Sequence, residues 1–313
     1  MPDIVVMFFL LGLLAGLVKS DLAIPKAAYD TLSLLLMLTI GLKGGMALYG
    51  NLGWSLLPEL AAVAALGALI PLAMMPLLRR LVRLSAADSA SLAAHYGSVS
   101  AGTFAVALAF AEARDLSIGA EVTLYLVMME LPAIMVAIAL YRRYRGSNAG
   151  EAMQGIWHET LTNRGVILLA GGAVIGAMYG PMEGANVTEL FTGAFHAVLA
   201  LFLLQMGLTA AETLRPIPWF HWRLLAFALI APPLLSLAGL AVGLALGLPA
   251  GSLLILTALA ASASYIAAPA AMRTAIPEAN IGLAMLASLG FTFPFNVMVG
   301  IPLYHRLITW LVG

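Results

Sequence analysis

One short polar stretch decides how this sequence must fold: Gly97-Ser98-Val99-Ser100-Ala101-Gly102-Thr103. The residues on both sides of it are apolar enough to lie in a lipid bilayer. Glycine weakens a helix and Ser and Thr hydroxyls compete for backbone hydrogen bonds, so the stretch predicts a break in a helix. Inside a membrane, non-helical backbone persists where protein or a water-filled cavity surrounds it. The break therefore marks either a binding site or a place where small residues let two helices pack closely.

The composition of the chain is that of a membrane protein. Of its 313 residues, 62% are hydrophobic and 10% are charged, whereas a soluble domain carries about 25% charged residues. The formal net charge is zero, which gives no indication of a nucleic-acid partner. The chain has no cysteine, which excludes disulfides, thiolate metal ligands and a cysteine nucleophile. The apolar run at 4–18 lacks a basic flank, which predicts a first span that stays rather than a cleaved signal peptide.

Hydropathy predicts ten membrane-spanning helices joined by short loops. The sizeable polar segment 142–164 is interpreted as a cytoplasmic linker between a first half, 1–141, and a second half, 165–313. Five spans in each half mean that the two halves cross the membrane in opposite directions. The predicted spans lie near 3–18, 29–49, 54–78, 88–112, 118–141, 165–180, 189–210, 223–247, 251–273 and 281–310.

The distribution of basic residues predicts the orientation of these spans. Most of the 15 Lys and Arg follow odd-numbered spans, among them the pairs Arg79-Arg80 and Arg142-Arg143. Loops that are rich in Lys and Arg stay in the cytoplasm. Both termini are therefore expected on the outer side of the membrane.

Short sequence matches predict that the two halves are inverted repeats of each other. Ile40-Gly41-Leu42-Lys43 in span two matches Met206-Gly207-Leu208-Thr209 in span seven. Glu130-Leu131-Pro132 in span five matches Thr292-Phe293-Pro294 in span ten. A single match means little in apolar sequence, but the matches keep the same order and nearly the same spacing.

A second break is predicted in span nine, at Ala261-Ser262-Ala263-Ser264-Tyr265-Ile266-Ala267-Ala268-Pro269. Because proline lacks an amide hydrogen and suits a first helical turn, the following half-helix is expected to begin at Pro269. Its counterpart in span four is expected to begin near Ala101. In antiparallel halves these two N-termini would meet, each with unpaired amides and a partial charge of about +0.5. Together with nearby hydroxyls, the two N-termini predict a site for a compact anion. The hydroxyls belong to Ser98, Ser100, Thr103, Ser262 and Ser264.

Two charged residues fall inside predicted spans, where charges are rare and usually functional or paired. Lys43 lies roughly 21 Å and Glu130 roughly 16 Å from the cytoplasmic ends of their spans, a difference that a lysine side chain covers. One interpretation is a buried ion pair between them. The other is that Glu130 binds or relays a coupling cation, with Lys43 as a fixed positive charge and Thr292 at the position that the repeat equates with Glu130. Glu112 is interpreted as part of a solvated turn, and His95 as either packing or lining the path.

Four motifs carry a resemblance to a known family: residues 95–104, 262–273, 40–45 (Ile-Gly-Leu-Lys-Gly-Gly) and 293–296 (Phe-Pro-Phe-Asn). Over most of its length the chain resembles the sodium-dependent bicarbonate transporters, in a form diverged from the cyanobacterial members. The resemblance implies an all-α membrane protein with ten spans in two inverted five-helix repeats, similar to bile acid–sodium symporters. It implies bicarbonate at the two broken helices with sodium close by, at Gly97, Ser98, Ser100, Ala101, Gly102, Thr103, Ser262, Ser264, Tyr265 and Ala268.

The resemblance also implies partners and a way of working. It implies a homotrimer in the bacterial inner membrane, a core domain that moves against a gate domain, and a PII-like regulatory protein on the cytoplasmic face. Cyanobacterial members carry an acidic residue where this chain has Tyr265 and a threonine where it has Lys43, while their span-five aspartate corresponds to Glu130. Losing a carboxylate removes a cation ligand, so we hypothesise that the ammonium of Lys43 takes the place of one sodium ion.

Secondary transport of a small anion is thus the expected function, with bicarbonate supplied by the resemblance. Alternatives are another small oxyanion or a carboxylate, carried with protons or down its own gradient, and an anion channel, because broken helices also line channels. An intramembrane hydrolase needs a nucleophile with a base, or a metal site. No second histidine in the predicted spans is placed to complete a catalytic or metal site with Ser98 and His95. An enzyme is therefore not expected, nor any cofactor beyond a sodium ion.

Overall fold

The computed structural model describes residues 4–50, 53–54, 56–146, 162–214 and 221–312. Within these ranges the chain is helical and contains no β-strand. Most of the predicted linker, from residue 147 to 161, lies outside the described residues. Residues 142–145 at its start are a continuation of the preceding helix rather than linker, and Arg164 at its end begins the next one.

Twelve helices are found in the described residues, numbered here in chain order. The bounds are α1 Ile4–Leu17, α2 Lys26–Leu48, α3 Leu56–Leu77 with a π-helical turn Leu78–Val82, α4 Ala86–Gly97, α5 Ala101–Glu112, α6 Leu124–Arg145, α7 Arg164–Glu183, α8 Ala185–Thr213, α9 Trp222–Ala245, α10 Ala250–Ala260, α11 Ala267–Ala275 and α12 Ile281–Val312. Two stretches of α12, Leu286–Thr292 and Asn296–Gly300, also have the wider π-helical winding.

Eight helices of the described chain are long and apolar enough to cross a membrane, counting α4 and α5 as one. Predicted span one is the shorter helix α1, with 14 residues, whereas a crossing takes about 20. Predicted span nine is divided between α10, with 11 residues, and α11, with 9. The expected loop between spans six and seven is absent. Instead Gly180, at φ 64° and ψ −173°, makes a kink before Pro181, and α8 begins directly after Gly184. The chain is a multi-pass membrane protein.

The helices form two groups, each drawn from both halves of the chain. Helices α1, α2, α7 and α8 pack on one another and are called here the four-helix group. Helices α3 to α6 and α9 to α12 pack together as the eight-helix group. The two groups meet where α8 lies against α5 and α12.

Glycines allow very close contacts inside the four-helix group. A Cβ added to Gly41 of α2 would lie 2.4 Å from the carbonyl oxygen of Leu169 in α7, and one added to Gly207 of α8 would lie 2.2 Å from that of Phe9 in α1. Backbones can approach this closely where residues are small. Gly41 and Gly207 are the two glycines that the predicted repeat aligns, and at each one the backbone of a neighbouring helix lies in close contact.

Candidate functional site

The two broken helices cross and are joined by hydrogen bonds across the crossing. The Ser100 amide donates to Ser262 Oγ at 3.0 Å. The Ser264 amide donates to the carbonyl oxygen of His95 at 2.7 Å. Each break thus satisfies backbone or side-chain groups of the other, as non-helical backbone within a membrane protein requires. The predicted breaks in spans four and nine are both confirmed.

A serine hydroxyl accepts an amide hydrogen from the first turn of the half-helix that follows each break. Ser100 Oγ accepts the Thr103 amide at 3.0 Å at the start of α5. Ser264 Oγ accepts the Ala268 amide at 3.2 Å at the start of α11. A serine hydroxyl that accepts in this way keeps its own hydrogen for a further acceptor.

The start of one second half-helix agrees with the prediction and the start of the other does not. Helix α5 begins at Ala101, as predicted. Helix α11 begins at Ala267 and not at Pro269. The prediction was wrong because a proline is tolerated anywhere in the first turn, where its missing amide hydrogen has no partner to lose, so its position does not mark the first residue of the helix.

One pocket opens beside the crossing, between the two helix groups. Its free space, including the part that is open to solvent at its mouth, is about 470 Å³. The wall from the four-helix group includes Met37 of α2 and Leu169 of α7. The wall from the eight-helix group contains five residues of the predicted site: Ser100, Ala101, Glu130, Ser264 and Tyr265.

The other residues predicted to bind substrate lie within the crossing and do not line this pocket. All of them are buried, and the hydroxyls of Ser98 and Thr103 have no hydrogen-bond partner within the described residues. Buried polar groups usually have a partner, so these two oxygens are left available for a ligand. The set comprises Gly97, Ser98, Gly102, Thr103, Ser262 and Ala268.

Tyr265 occupies the space in front of the α5 N-terminus. A Cβ added to Gly102, in the first turn of α5, would lie 2.2 Å from the Tyr265 hydroxyl oxygen. It would also lie 3.1 Å from the ring of Phe293 and 3.2 Å from that of Phe202. The Tyr265 and Phe293 rings meet edge to face with centroids 5.3 Å apart. Gly102 therefore provides the room that this aromatic cluster needs.

Glu130 brings a carboxylate to the pocket. It lies in the second turn of α6 and is half-buried. No ion pair or hydrogen bond of its side chain occurs within the described residues. A carboxylate without a protein partner in such a position is suited to bind a cation or a proton.

Lys43 does not pair with Glu130, so that interpretation was wrong. Its ammonium lies 2.5 Å from Glu112 Oε1, at the C-terminal end of α5, and 4.4 Å from the centre of the Phe195 ring. Glu112 is thus an ion-pair partner and not part of a solvated turn. Counting residues along a span gave the depth of Lys43 but not the face of α2 from which it projects. The Lys43–Glu112 pair joins the four-helix group to the eight-helix group, away from the pocket.

Thr292 and His95 are also engaged elsewhere. The Thr292 hydroxyl donates to the Ala228 carbonyl oxygen at 2.9 Å and lies 2.7 Å from the Tyr96 hydroxyl. His95 is fully buried, and its Nδ1 lies 2.7 Å from the Ser91 carbonyl oxygen. Neither residue lines the pocket. For His95 this agrees with the packing interpretation.

Two asparagines near the site were not assigned from the sequence. Asn163 lines the pocket and caps α7, its Oδ1 accepting the Gly165 amide at 2.9 Å. Asn296 donates from Nδ2 to the carbonyl oxygen of Ala261, at the end of α10, at 2.8 Å. An asparagine directly before an apolar run is an N-cap signal, so Asn163 was detectable. The bond from Asn296 joins residues far apart in the chain and has no local signal.

Comparison with known proteins identifies the family to which these features belong. No match was found among curated proteins. The Na+-dependent bicarbonate transporter superfamily matches from residue 4 to residue 309. This match covers nearly the whole chain, including both broken helices and the pocket. The chain therefore belongs to the Na+-dependent bicarbonate transporter superfamily.

Proposed function

We propose that this protein is a secondary active transporter that takes up bicarbonate together with sodium. The observation that carries the proposal is the pocket, which combines the starts of two half-helices with the carboxylate of Glu130. An anion and a cation can therefore be held close together. The family to which the chain belongs supplies the identity of both ions.

The anion is proposed to bind at the starts of α5 and α11. Helix N-termini present unpaired amide hydrogens and a partial positive charge. Around them, Ser100 and Ser264 offer hydroxyl hydrogens, and Ser98 and Thr103 have unpartnered oxygens. Bicarbonate is small, planar and both donates and accepts hydrogen bonds, which suits this mixture.

The coupling cation is proposed to bind at Glu130. Sodium is a hard cation and takes oxygen ligands, as calcium and magnesium do. The carboxylate faces the pocket and has no ion-pair partner within the described residues. The same observation supports a second candidate, proton-coupled transport of a small oxyanion or carboxylate, in which Glu130 takes a proton in place of sodium.

Transport is proposed to proceed by alternating access. Because the pocket lies between the four-helix and eight-helix groups, movement of one group against the other would open it to either side. The equivalent contacts of Gly41 and Gly207 support two inverted repeats, 1–141 and 165–313. A homotrimer in the bacterial inner membrane, with both termini outside and a PII-like regulator at the cytoplasmic face, belongs to the same proposal.

Uptake of radiolabelled bicarbonate into proteoliposomes at fixed pH tests the proposal. We expect uptake with sodium outside and little with potassium, and loss of uptake in Ser98→Ala/Ser100→Ala. Glu130→Gln should abolish the sodium response, whereas Glu189→Gln, which removes an exposed carboxylate of α8, should not. Two observations together would favour the proton-coupled candidate. Uptake would be equal in the two salts, and an imposed proton gradient would stimulate it. No uptake of bicarbonate under any gradient would contradict the proposal.

A further inference from the structure

A long apolar groove lies on the outside of the eight-helix group, between α3 and α9. It is called here the α3–α9 groove and is lined by Leu77, Leu81, Phe227, Ile230 and Leu234, among others. Its free space, including its open side, is about 1120 Å³. Each of the two helices carries two internal prolines, and α3 ends in a π-helical turn. Prolines and π turns bend helices, which accounts for the gap between α3 and α9.

One end of the α3–α9 groove is strongly basic. Arg80, Arg83 and Arg223 line it there, and none of the three forms an ion pair within the described residues. A polar recess adjoins this end and shares Arg83 and Arg223 with it.

The carboxylate in that recess, Asp88, forms no ion pair with the arginines within the described residues. Asp88 Oδ1 accepts the Asn280 amide at 2.8 Å and Oδ2 accepts the Ser85 hydroxyl at 2.7 Å. The two oxygens of Asp88 are thus hydrogen-bonded to the residues that directly precede α4 and α12. The arginines form a cationic cluster at one end of the α3–α9 groove, so they match a ligand with an anionic head and an apolar tail.

We propose that the α3–α9 groove binds an anionic phospholipid of the cytoplasmic leaflet. The phosphate lies against Arg80, Arg83 and Arg223, and one acyl chain runs along α9. From Arg223 to Leu235, the last groove residue on α9, the helix rises about 18 Å, close to the hydrocarbon thickness of one leaflet, about half of 30 Å. Trp222 is 61% exposed at the mouth of the groove, and tryptophan favours the interface between head groups and acyl chains.

Charge complementarity selects this occupant over others. A zwitterionic phospholipid would also fill the α3–α9 groove, but its own ammonium cancels its phosphate charge. It would therefore add no net negative charge to three arginines that form no ion pair within the described residues. The basic-residue distribution places this end of α3 and α9 at the cytoplasmic face, where anionic lipids attract Lys and Arg. The proposal concerns the outer surface of the eight-helix group, so it does not depend on which ion the protein transports.

Quenching of Trp222 fluorescence by brominated lipids tests the proposal. The full-length protein is reconstituted in phosphatidylcholine vesicles that contain a minority of either dibromo-phosphatidylglycerol or dibromo-phosphatidylcholine, at equal bromine content. The Trp222 signal is the difference between the wild type and Trp222→Phe, since the chain has 5 tryptophans. We expect markedly stronger quenching by the anionic lipid, because each arginine contributes about fivefold to local binding.

Two variants and one control separate the head-group and acyl-chain contributions. Arg83→Gln/Arg223→Gln should bring quenching by the two lipids to near equality. Ala226→Phe, which fills the groove without changing charge, should weaken quenching by both lipids. Arg143→Gln/Arg273→Gln removes two arginines from outside the groove and should leave the preference unchanged.

Either of two results would overturn the proposal. One is equal quenching by the two brominated lipids in the wild type. The other is an equal loss of preference in both double-arginine variants, since this would assign the effect to net charge rather than to the groove. A misfolded variant is recognised by its Trp222 emission in vesicles without bromine, and Ala226→Phe then provides the remaining comparison.

Discussion

Gly102 is the residue at which the crossing leaves least room. We expect Gly102→Ala to destabilise the folded protein by about 1–3 kcal/mol, the usual cost of overpacking, because its Cβ would lie 2.2 Å from the Tyr265 hydroxyl. Bicarbonate uptake should fall as well, since Tyr265 must move into the pocket. Thermal unfolding in detergent and uptake in proteoliposomes measure the two effects. Gly171→Ala is the matched control, because a Cβ there meets no atom within 4 Å.

The Lys43–Glu112 pair allows the sodium-substitute hypothesis for Lys43 to be examined. Each side chain is partly exposed, at 22% and 29%, so a coupling energy of about 1 kcal/mol is expected, between the values for exposed and buried pairs. A double-mutant cycle with Lys43→Met and Glu112→Gln measures it from unfolding. Because Lys43 lies outside the pocket, we expect the ratio of uptake in sodium to that in potassium to stay unchanged. A higher sodium requirement in Lys43→Met would restore the hypothesis.

At the scale of elements, the close contacts of the four-helix group rest on glycine. Gly207→Ala should destabilise the protein, because the added Cβ would lie 2.2 Å from the Phe9 carbonyl oxygen and would push α1 away from α8. Gly193→Ala lies on the same helix with nothing within 4 Å and should be neutral or stabilising by up to about 1 kcal/mol. Comparing the melting temperatures of the two variants decides the point. Similar temperatures would mean that α1 can shift without cost.

The sequence predicted the elements where the signal is local. Hydroxyl-rich interruptions located both breaks, and the start of α5 at Ala101 followed from the composition around it. Reliance on Pro269 misplaced the start of α11 by two residues, because a proline is tolerated throughout the first helical turn and Pro269 is the third residue of the helix. The turn between α7 and α8 was also missed, since one glycine at positive φ replaces a loop.

The contacts within the site were harder to predict because they depend on which face of a helix a residue occupies. Glu130, Ser100 and Ser264 were correctly expected near the crossing, since each lies in or beside a span at the right depth. Lys43 has a similar depth but projects toward Glu112. Rotation about a helix axis is set by packing with distant helices, and an apolar sequence carries little periodicity from which to derive it.

At the scale of the whole molecule, the pocket between the two helix groups predicts that their relative movement is needed for uptake. The chain has no cysteine, so introduced pairs can be cross-linked without background. A reversible thiol cross-linker across Lys43→Cys/Glu112→Cys joins the two groups and should stop uptake until it is reduced. Asp30→Cys/Arg164→Cys replaces an ion pair of 3.0 Å within the four-helix group, and its cross-linking should leave uptake intact. Continued uptake with the first pair cross-linked would contradict movement between the groups.

The hydrogen bonds across the crossing also have a consequence for biogenesis. The Ser100 amide donates to Ser262 and the His95 carbonyl oxygen accepts from Ser264, so these two groups of the first break find their partners only in the half of the chain that is synthesised second. Unsatisfied backbone groups are costly in a bilayer. Until the second half is synthesised, these two backbone groups need water or another protein as a partner. The crossing contains residues of both halves, so it can form only after the second half has been synthesised.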